Sequence, residues 1–499
     1  MNKILTILQR SLKQGMPFLL GTGMLLFFIF CLAGASETGR GETGFPPDAS
    51  APLKNDTSQG AADPDIDRPP FDTTNWPQFR GVQARGIAVD LDLPLEWDVR
   101  TGANILWKTP IPGLGHSSPV VWDNKVFITT AVGEGGKEAY LKVGLFGESP
   151  DNPENFVHHF RLYCLDRTTG KIIWEKTAHS GVPQIARHIK SSHANSSPAT
   201  DGKHVLAFFG SEGLYCYDME GELLWKKDFG LLDAGAFDYP EIRWGFGCSP
   251  VIYDGKAVIL ADVNNQSFLT VLDIKTGREI WKTLRDENPT WGTPTIYTAV
   301  EKSQILVNGF KHIGAYDFDT GEEIWKMHGG GDIPVPTPFV AHDLVFITNS
   351  HGRMRPIYAV RVDAKGDITL EQGKNSNASI PWSYPRMGTY QPTPMVYGDL
   401  LYILDDRGIV RCYEAVTGKI VFQKTLGGEI SAYSASVVAA DGRIYCTDEF
   451  GKIHIIKASR TYEHLAVNDM GETCMATPAL SHKTLFVRTR STLYAIGKK

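Results

Sequence analysis

Apolar residues in this chain fall in short runs bounded by turn residues, and the runs repeat. One signature is a small or polar residue, then proline, then an apolar stretch. It occurs as SSPVVW at Ser117, SSPATD at Ser196, CSPVIY at Cys248, GTPTIY at Gly292, PTPFVA at Pro336, PTPMVY at Pro392 and ATPALS at Ala476. SASVVA at Ser434 is an eighth copy with Val437 in place of the proline. The closest copies are about forty residues apart, the length of one four-stranded propeller blade. Wider spacings mark blades with inserted loops.

A second signature alternates with the first. Asp166, Gly170 and Trp174 share their spacing with Asp273, Gly277, Trp281 and with Asp317, Gly321, Trp325. Glu414, Gly418, Phe422 is a substituted copy, and DMEGELLW, ending at Trp225, is one residue shorter. The acidic residue accepts backbone N–H bonds in a hairpin turn, and glycine supplies the positive φ that returns the chain to a strand. The aromatic cannot be buried by its own small sheet, so it is expected to dock on the neighbouring blade. The C-terminal TLYAIGKK is half a hairpin, and NILWKT carries Trp107 without a preceding acidic turn. The pattern therefore predicts an all-β, eight-bladed β-propeller whose last blade is closed by the N-terminal strand, leaving no open edge.

The ends and the composition modify this picture. Lys3, Arg10 and Lys13, an apolar run over 17–32 and the AGAS segment make 1–35 a secretory signal, or alternatively an uncleaved anchor. Phe30 before Cys31 argues against lipidation. Residues 36–70 are rich in Gly, Pro, Ser, Thr and Asp and read as a disordered linker, leaving 71–499 for the propeller. Export to the periplasm or cell envelope follows from the signal. A net charge of −6 gives no support for nucleic-acid binding.

The pattern running from Cys164 through Asp166 and Gly170 to Trp174 resembles the tryptophan-docking repeat of quinoprotein-type, PQQ-like β-propellers. Cys216, Ala315, Cys412 and Ala495 hold the same small first position, and the resemblance covers residues 104–497. WPQFRG at Trp76, GLGHSSPVVW at Gly113 and SSHANSSPATDG at Ser191 are similar to secreted PQQ-like propellers abundant in planctomycetes. An enzyme of that resemblance implies a quinone held with Ca²⁺ by Glu, Asn and Asp ligands, an Asp base, a stacking Trp and often adjacent cysteines. No adjacent cysteines occur, and Asp262 and Asp405 sit in elements common to the repeats. The favoured expectation is a non-enzymatic scaffold that binds an envelope protein or a small molecule. PQQ-dependent dehydrogenation is the alternative, and no cofactor is expected outside it.

The residues before each proline motif should gather at one mouth of the central channel. These are His116, His193, Asn195, Trp244, Trp291, Tyr390 and Tyr433, an aromatic and polar set suited to a small ligand. The docking set is Trp107, Trp174, Trp225, Trp281, Trp325 and Phe422. The inserted loops 132–160, 179–195, 229–245 and 364–391 offer a second surface, with aromatics and Arg in RWGFG and PWSYPRMGTYQP. The cysteines beyond the signal are read as buried small hydrophobes rather than disulfides. His158, His159, His188 and His193 show no recognisable ligand spacing, so no metal site is expected.

Overall fold

A computed structural model describes residues 74–145, 154–235, 243–299, 302–352 and 354–499. The segments expected to be a signal (1–35) and a linker (36–70) lie outside the described residues. Eight antiparallel sheets form the eight blades of a β-propeller. Blade 1 uses strands Val120–Trp122, Lys125–Gly133, His158–Asp166 and Ile172–Gly181, innermost first. Blades 2 to 7 repeat the order, with innermost strands beginning at Ala199, Val251, Thr295, Phe339, Met395 and Val438. Blade 8 takes three strands from 479–496 and its outer strand, Ile105–Pro110, from near the start of the described chain. Trp107 stands opposite Ala495 in that pairing, so the ring closes as the half-hairpins require.

The two sequence signatures have separate structural jobs. The hydroxyl residue before each proline links neighbouring blades around the channel. Ser118 N–H donates to Ser197 Oγ at 2.9 Å, Ser197 N–H to Ser249 Oγ at 2.9 Å, and Ser249 N–H to Thr293 Oγ1 at 3.1 Å. The same link joins Thr337 to Thr393, Thr393 to Ser436, and Ser436 to Thr477. The next residue is proline in seven copies and Val437 in the eighth, and the proline has no N–H to leave unpaired on an innermost strand.

The second signature joins blades at the rim. The Trp107 indole N–H donates to the Arg167 carbonyl at 2.7 Å, and a Cβ on Gly170 would come within 2.5 Å of that ring. Trp174 stands in the same relation to Met219 and Gly221, and Trp225 to Ile274 and Gly277. Glycine is thus needed at the turn both for its positive φ and for the flat approach of the neighbouring indole. Trp174, Trp225 and Trp281 are half-buried, because one edge of each indole stays at the rim. Phe422 is also half-buried and packs on Tyr462 of blade 7.

Blade 5 departs from the pattern. Trp325 is fully buried, yet its indole N–H has no partner among the described residues, because the facing turn of blade 5 has decayed. The outer strand of blade 5, Trp382–Tyr384, is reached only after a long insertion. Trp382 then docks on blade 6, donating to the Ala415 carbonyl at 3.1 Å against Gly418. The core lies between blades. One cluster joins Phe127, Phe160 and Cys164 of blade 1 to Val205, Ala207 and Tyr217 of blade 2. All six cysteines of the described residues are free and buried.

Candidate functional site: a channel closed at one end

The central channel holds a cavity of about 510 Å³. Its wall carries all eight hydroxyls of the repeat: Ser118, Ser197, Ser249, Thr293, Thr337, Thr393, Ser436 and Thr477. Most oxygens of this ring already accept a backbone N–H, while the hydroxyl hydrogens remain able to rotate. Thr337 Oγ1 is buried with no partner among the described residues.

The WPQFRG segment forms the floor. Trp76 exchanges backbone hydrogen bonds with Val121 of blade 1, and Thr200 N–H of blade 2 donates to the Pro77 carbonyl. Arg80, fully buried, donates to the carbonyls of Thr393 at 2.9 Å, Pro394 at 2.8 Å and Val437 at 2.9 Å. Residues 87–88 then add a parallel strand to the innermost strand of blade 7. The segment therefore crosses the channel end from one side of the ring to the other and presents Phe79 to the cavity. Gly81 has φ +72° and lies against the Trp76 ring, where a Cβ would come within 2.8 Å.

The opposite end carries most of the aromatic set. Trp244 and Trp291 meet at the mouth with ring centroids 5.2 Å apart, and the Trp291 indole N–H is held by the Gly245 carbonyl at 2.8 Å. Tyr390 lies across from His351, at 5.8 Å. His116 also lines the cavity, with Nε2 on the Lys190 carbonyl at 3.0 Å. Burial, reinforced by the nearby Arg488, pushes the His116 imidazole down to about 3, so it is a neutral group at ordinary pH. Asn195 lines the cavity, but both ends of its amide are occupied, by Ser191, Ser192 and the Phe246 carbonyl. It shapes the mouth rather than offering a free group.

Two members of the expected ring lie elsewhere. Tyr433 turns into the core between blades 6 and 7, against Gly408, and Ser434 takes its place at the cavity. His193 points away from the channel to Glu154, 3.1 Å away. Lys190, His351 and Asp406 line the cavity without having been singled out in the sequence, since they come from hairpin ends and an insertion. The hydroxyl ring was visible as a recurring Ser or Thr, but not as a surface. Glu449 ties the mouth together: it receives Lys190 Nζ at 2.7 Å, Gly144 N–H at 2.7 Å and Ser434 Oγ at 2.5 Å. Asp262 is locked to Arg285 at 2.8 Å and Asp405 to Arg411 at 3.2 Å, so neither carboxylate faces the cavity.

Residues 158–424 and 265–499 match the family model described as outer membrane protein assembly factor BamB. The chain belongs to this family of PQQ-like propellers. A tetrathionate hydrolase of Acidithiobacillus ferrooxidans is 23% identical over 286 residues, which are 50% of this chain and 52% of that protein. The chain thus spans about half the length of that curated relative. A europium-containing methanol dehydrogenase superposes with a TM-score of 0.55 at 11% identity, over 85% of this chain and 98% of the other. BamB from Moraxella catarrhalis gives 0.50 at 12% identity, over 74% and 98%. A quinohemoprotein alcohol dehydrogenase from Comamonas testosteroni gives 0.54 at 14% identity, over 86% and 81%. At such identities the likeness is one of fold.

The cavity of this PQQ-like propeller can be compared with what a quinone and Ca²⁺ require. Ca²⁺ takes six to eight oxygen ligands, usually with several carboxylates. Among the described cavity-lining residues Asp406 is the single carboxylate, and the Asn195 oxygen is already bonded to Ser192. The tricarboxylate quinone would need cations, and the Lys190 ammonium is already paired with Glu449. The residues present do not fit that pair.

Proposed function

We propose that this chain is an exported, non-catalytic binding propeller whose blind channel holds an uncharged, polyhydroxylated small molecule, in the class of a mono- or disaccharide. One observation carries the reading: a cavity of about 510 Å³ combines two tryptophans at its mouth with a complete ring of eight hydroxyls in its wall. This volume lies within the range of small-ligand pockets, roughly 300–1,000 Å³. An indole face packs against the C–H face of a sugar ring. Hydroxyls that both donate and accept suit a ligand that does the same. A shortage of unpaired charge in the cavity favours a neutral ligand over an anion. Membership of a family described by an envelope assembly factor agrees with placement in the envelope.

The test is titration of the mature chain with a panel of uncharged mono- and disaccharides, followed by tryptophan fluorescence and calorimetry. Saturable binding is expected, and should be lost in a Trp244→Ala/Trp291→Ala double variant that keeps a native far-UV spectrum. If no sugar in the panel gives a saturable change, the reading fails. Saturable uptake of PQQ with Ca²⁺, accompanied by dye reduction with alcohols, would replace it by a dehydrogenase.

A further inference from the structure

Outside the channel, beneath the loops of blades 1 and 2, three side chains that are distant in sequence converge. His158 opens the third strand of blade 1, Glu154 precedes it, and His193 belongs to the loop that leads into blade 2. Their ligand atoms all lie within 4.8 Å of one another. The side chains are 1%, 4% and 9% exposed, respectively. His158, which falls within the inserted loop 132–160 expected from the sequence, is a buried strand residue.

The hydrogen-bond arithmetic does not close for a neutral His158 ring; a second proton, or an ion in its place, is needed to satisfy both neighbours. His158 Nδ1 lies 3.0 Å from the Phe156 carbonyl, and Nε2 lies 3.3 Å from Glu154 Oε2. Both neighbours are acceptors. A neutral imidazole has one N–H, so it can satisfy only one of them. With Nδ1–H on the carbonyl, as histidine ligands are commonly held, the Nε2 lone pair faces a carboxylate. Among the described residues Nε2 is buried without a hydrogen-bond partner. His193 Nε2 approaches the same carboxylate oxygen at 3.1 Å. Two ligand atoms at about 2.1 Å from a tetrahedral zinc ion stand about 3.4 Å apart. The observed separations of 3.1 and 3.3 Å are those of ligands around an ion as much as of hydrogen-bonded pairs.

We infer that Glu154 Oε2, His158 Nε2 and His193 Nε2 form a binding site for a divalent transition-metal ion of the zinc class. Two imidazoles and one carboxylate suit zinc better than calcium or magnesium, which prefer all-oxygen shells. Arg187 holds the other carboxylate oxygen, Nη2 to Oε1 at 2.5 Å, with Nε at 3.2 Å from Oε2. Its charge opposes the ion, so the expected affinity is below that of a four-ligand structural site. The ion would tie residues 154–158 to the loop that supplies His188, Lys190 and Asn195 to the channel mouth. Its role is that of a clamp on the mouth.

The experiment uses the mature chain dialysed against chelator. Zn²⁺ is titrated calorimetrically, uptake is measured by mass spectrometry, and Co²⁺ serves as a spectroscopic probe. One Zn²⁺ per chain is expected, with Co²⁺ giving the visible bands of low-coordinate nitrogen and oxygen ligation. His158→Ala/His193→Ala removes two of the three ligands and should weaken binding by more than about a hundredfold, the upper end of what the loss of an outer-shell partner alone costs, and His159→Ala, at the neighbouring half-buried ring outside the cluster, should leave it unchanged. Should the double variant not fold, Glu154→Gln, which keeps the size of the side chain, is expected to weaken binding at least about tenfold. No uptake by the parent chain, or uptake that these substitutions leave unaltered, overturns the site.

Discussion

The Trp281 indole of blade 3 donates its N–H to the Phe318 carbonyl of blade 4 at 3.1 Å, while its ring lies against Gly321, where a Cβ would come within 2.5 Å. One side chain thus supplies a hydrogen bond and a flat apolar contact to the next blade. Trp281→Ala should cost about 3 kcal/mol, the lower end for a truncated tryptophan because part of the indole is exposed. Trp281→Phe should keep most of the packing and lose about 1 kcal/mol with the N–H. Urea unfolding followed by circular dichroism measures both. A loss well below 1 kcal/mol for the alanine variant would remove the indoles as the joints between blades.

Arg80 fastens the channel floor. With its guanidinium donating to carbonyls of blades 6 and 7 and to its own loop, Arg80→Ala strands several buried acceptors. The expected loss is at least about 3 kcal/mol. Arg80→Lys should rescue little, because an ammonium has three donors and lacks the planar fork. Thermal melting checks this. A lysine variant as stable as the parent would show that charge alone, not the fork, holds the segment.

The cysteines should be silent in the folded protein. Burial pushes the Cys164, Cys216 and Cys412 thiols up to about 12, and raises Cys248, Cys446 and Cys474 as well. A thiol kept protonated and inaccessible reacts slowly. Under native conditions a chain of residues 36–499 should release almost no colour with a disulfide reagent, and six equivalents in denaturant. Rapid native labelling of any one of them would contradict the buried inter-blade placement.

Acid should loosen the channel mouth. His116 is held near 3 by burial and by Arg488, with Arg187 and Arg490 adding to the effect and the Lys190 carbonyl opposing it. Unfolded, the ring titrates near 6.5. Between those values the unfolded chain binds the extra proton, so stability falls as pH drops from about 6.5 towards 3 and gains nothing from this group above 6.5. His188 and His454, both lowered by burial to about 4, act in the same direction. His116→Gln should flatten the dependence of melting temperature on pH in that window. An unchanged slope would assign the acid sensitivity to other groups.

Much of the scaffold was legible in the residues. The eight Ser/Thr-type strands, the turn glycines and the lone strand of Trp107 each repeat or complete a local pattern, and local patterns survive in one dimension. Trp382 was not recognised as a docking residue because a long insertion separates it from the strand it pairs with. Tyr433 and His193 stand at the right distance from their motifs, yet the backbone turns their side chains away from the axis.

The sequence by itself determined the blade count, the ring closure and the joints, because rotational symmetry converts a repeat along the chain into a ring in space. Only the tertiary structure decided that the WPQFRG segment closes one end of the channel, and that eight scattered hydroxyls share one wall. It also decided which histidines face the cavity and which face Glu154. These outcomes depend on contacts between residues up to several hundred positions apart, such as Arg80 with Val437 and Lys190 with Glu449. No local spacing encodes such contacts. They arise when buried polar groups, brought together by the packing of the blades, must find partners away from water.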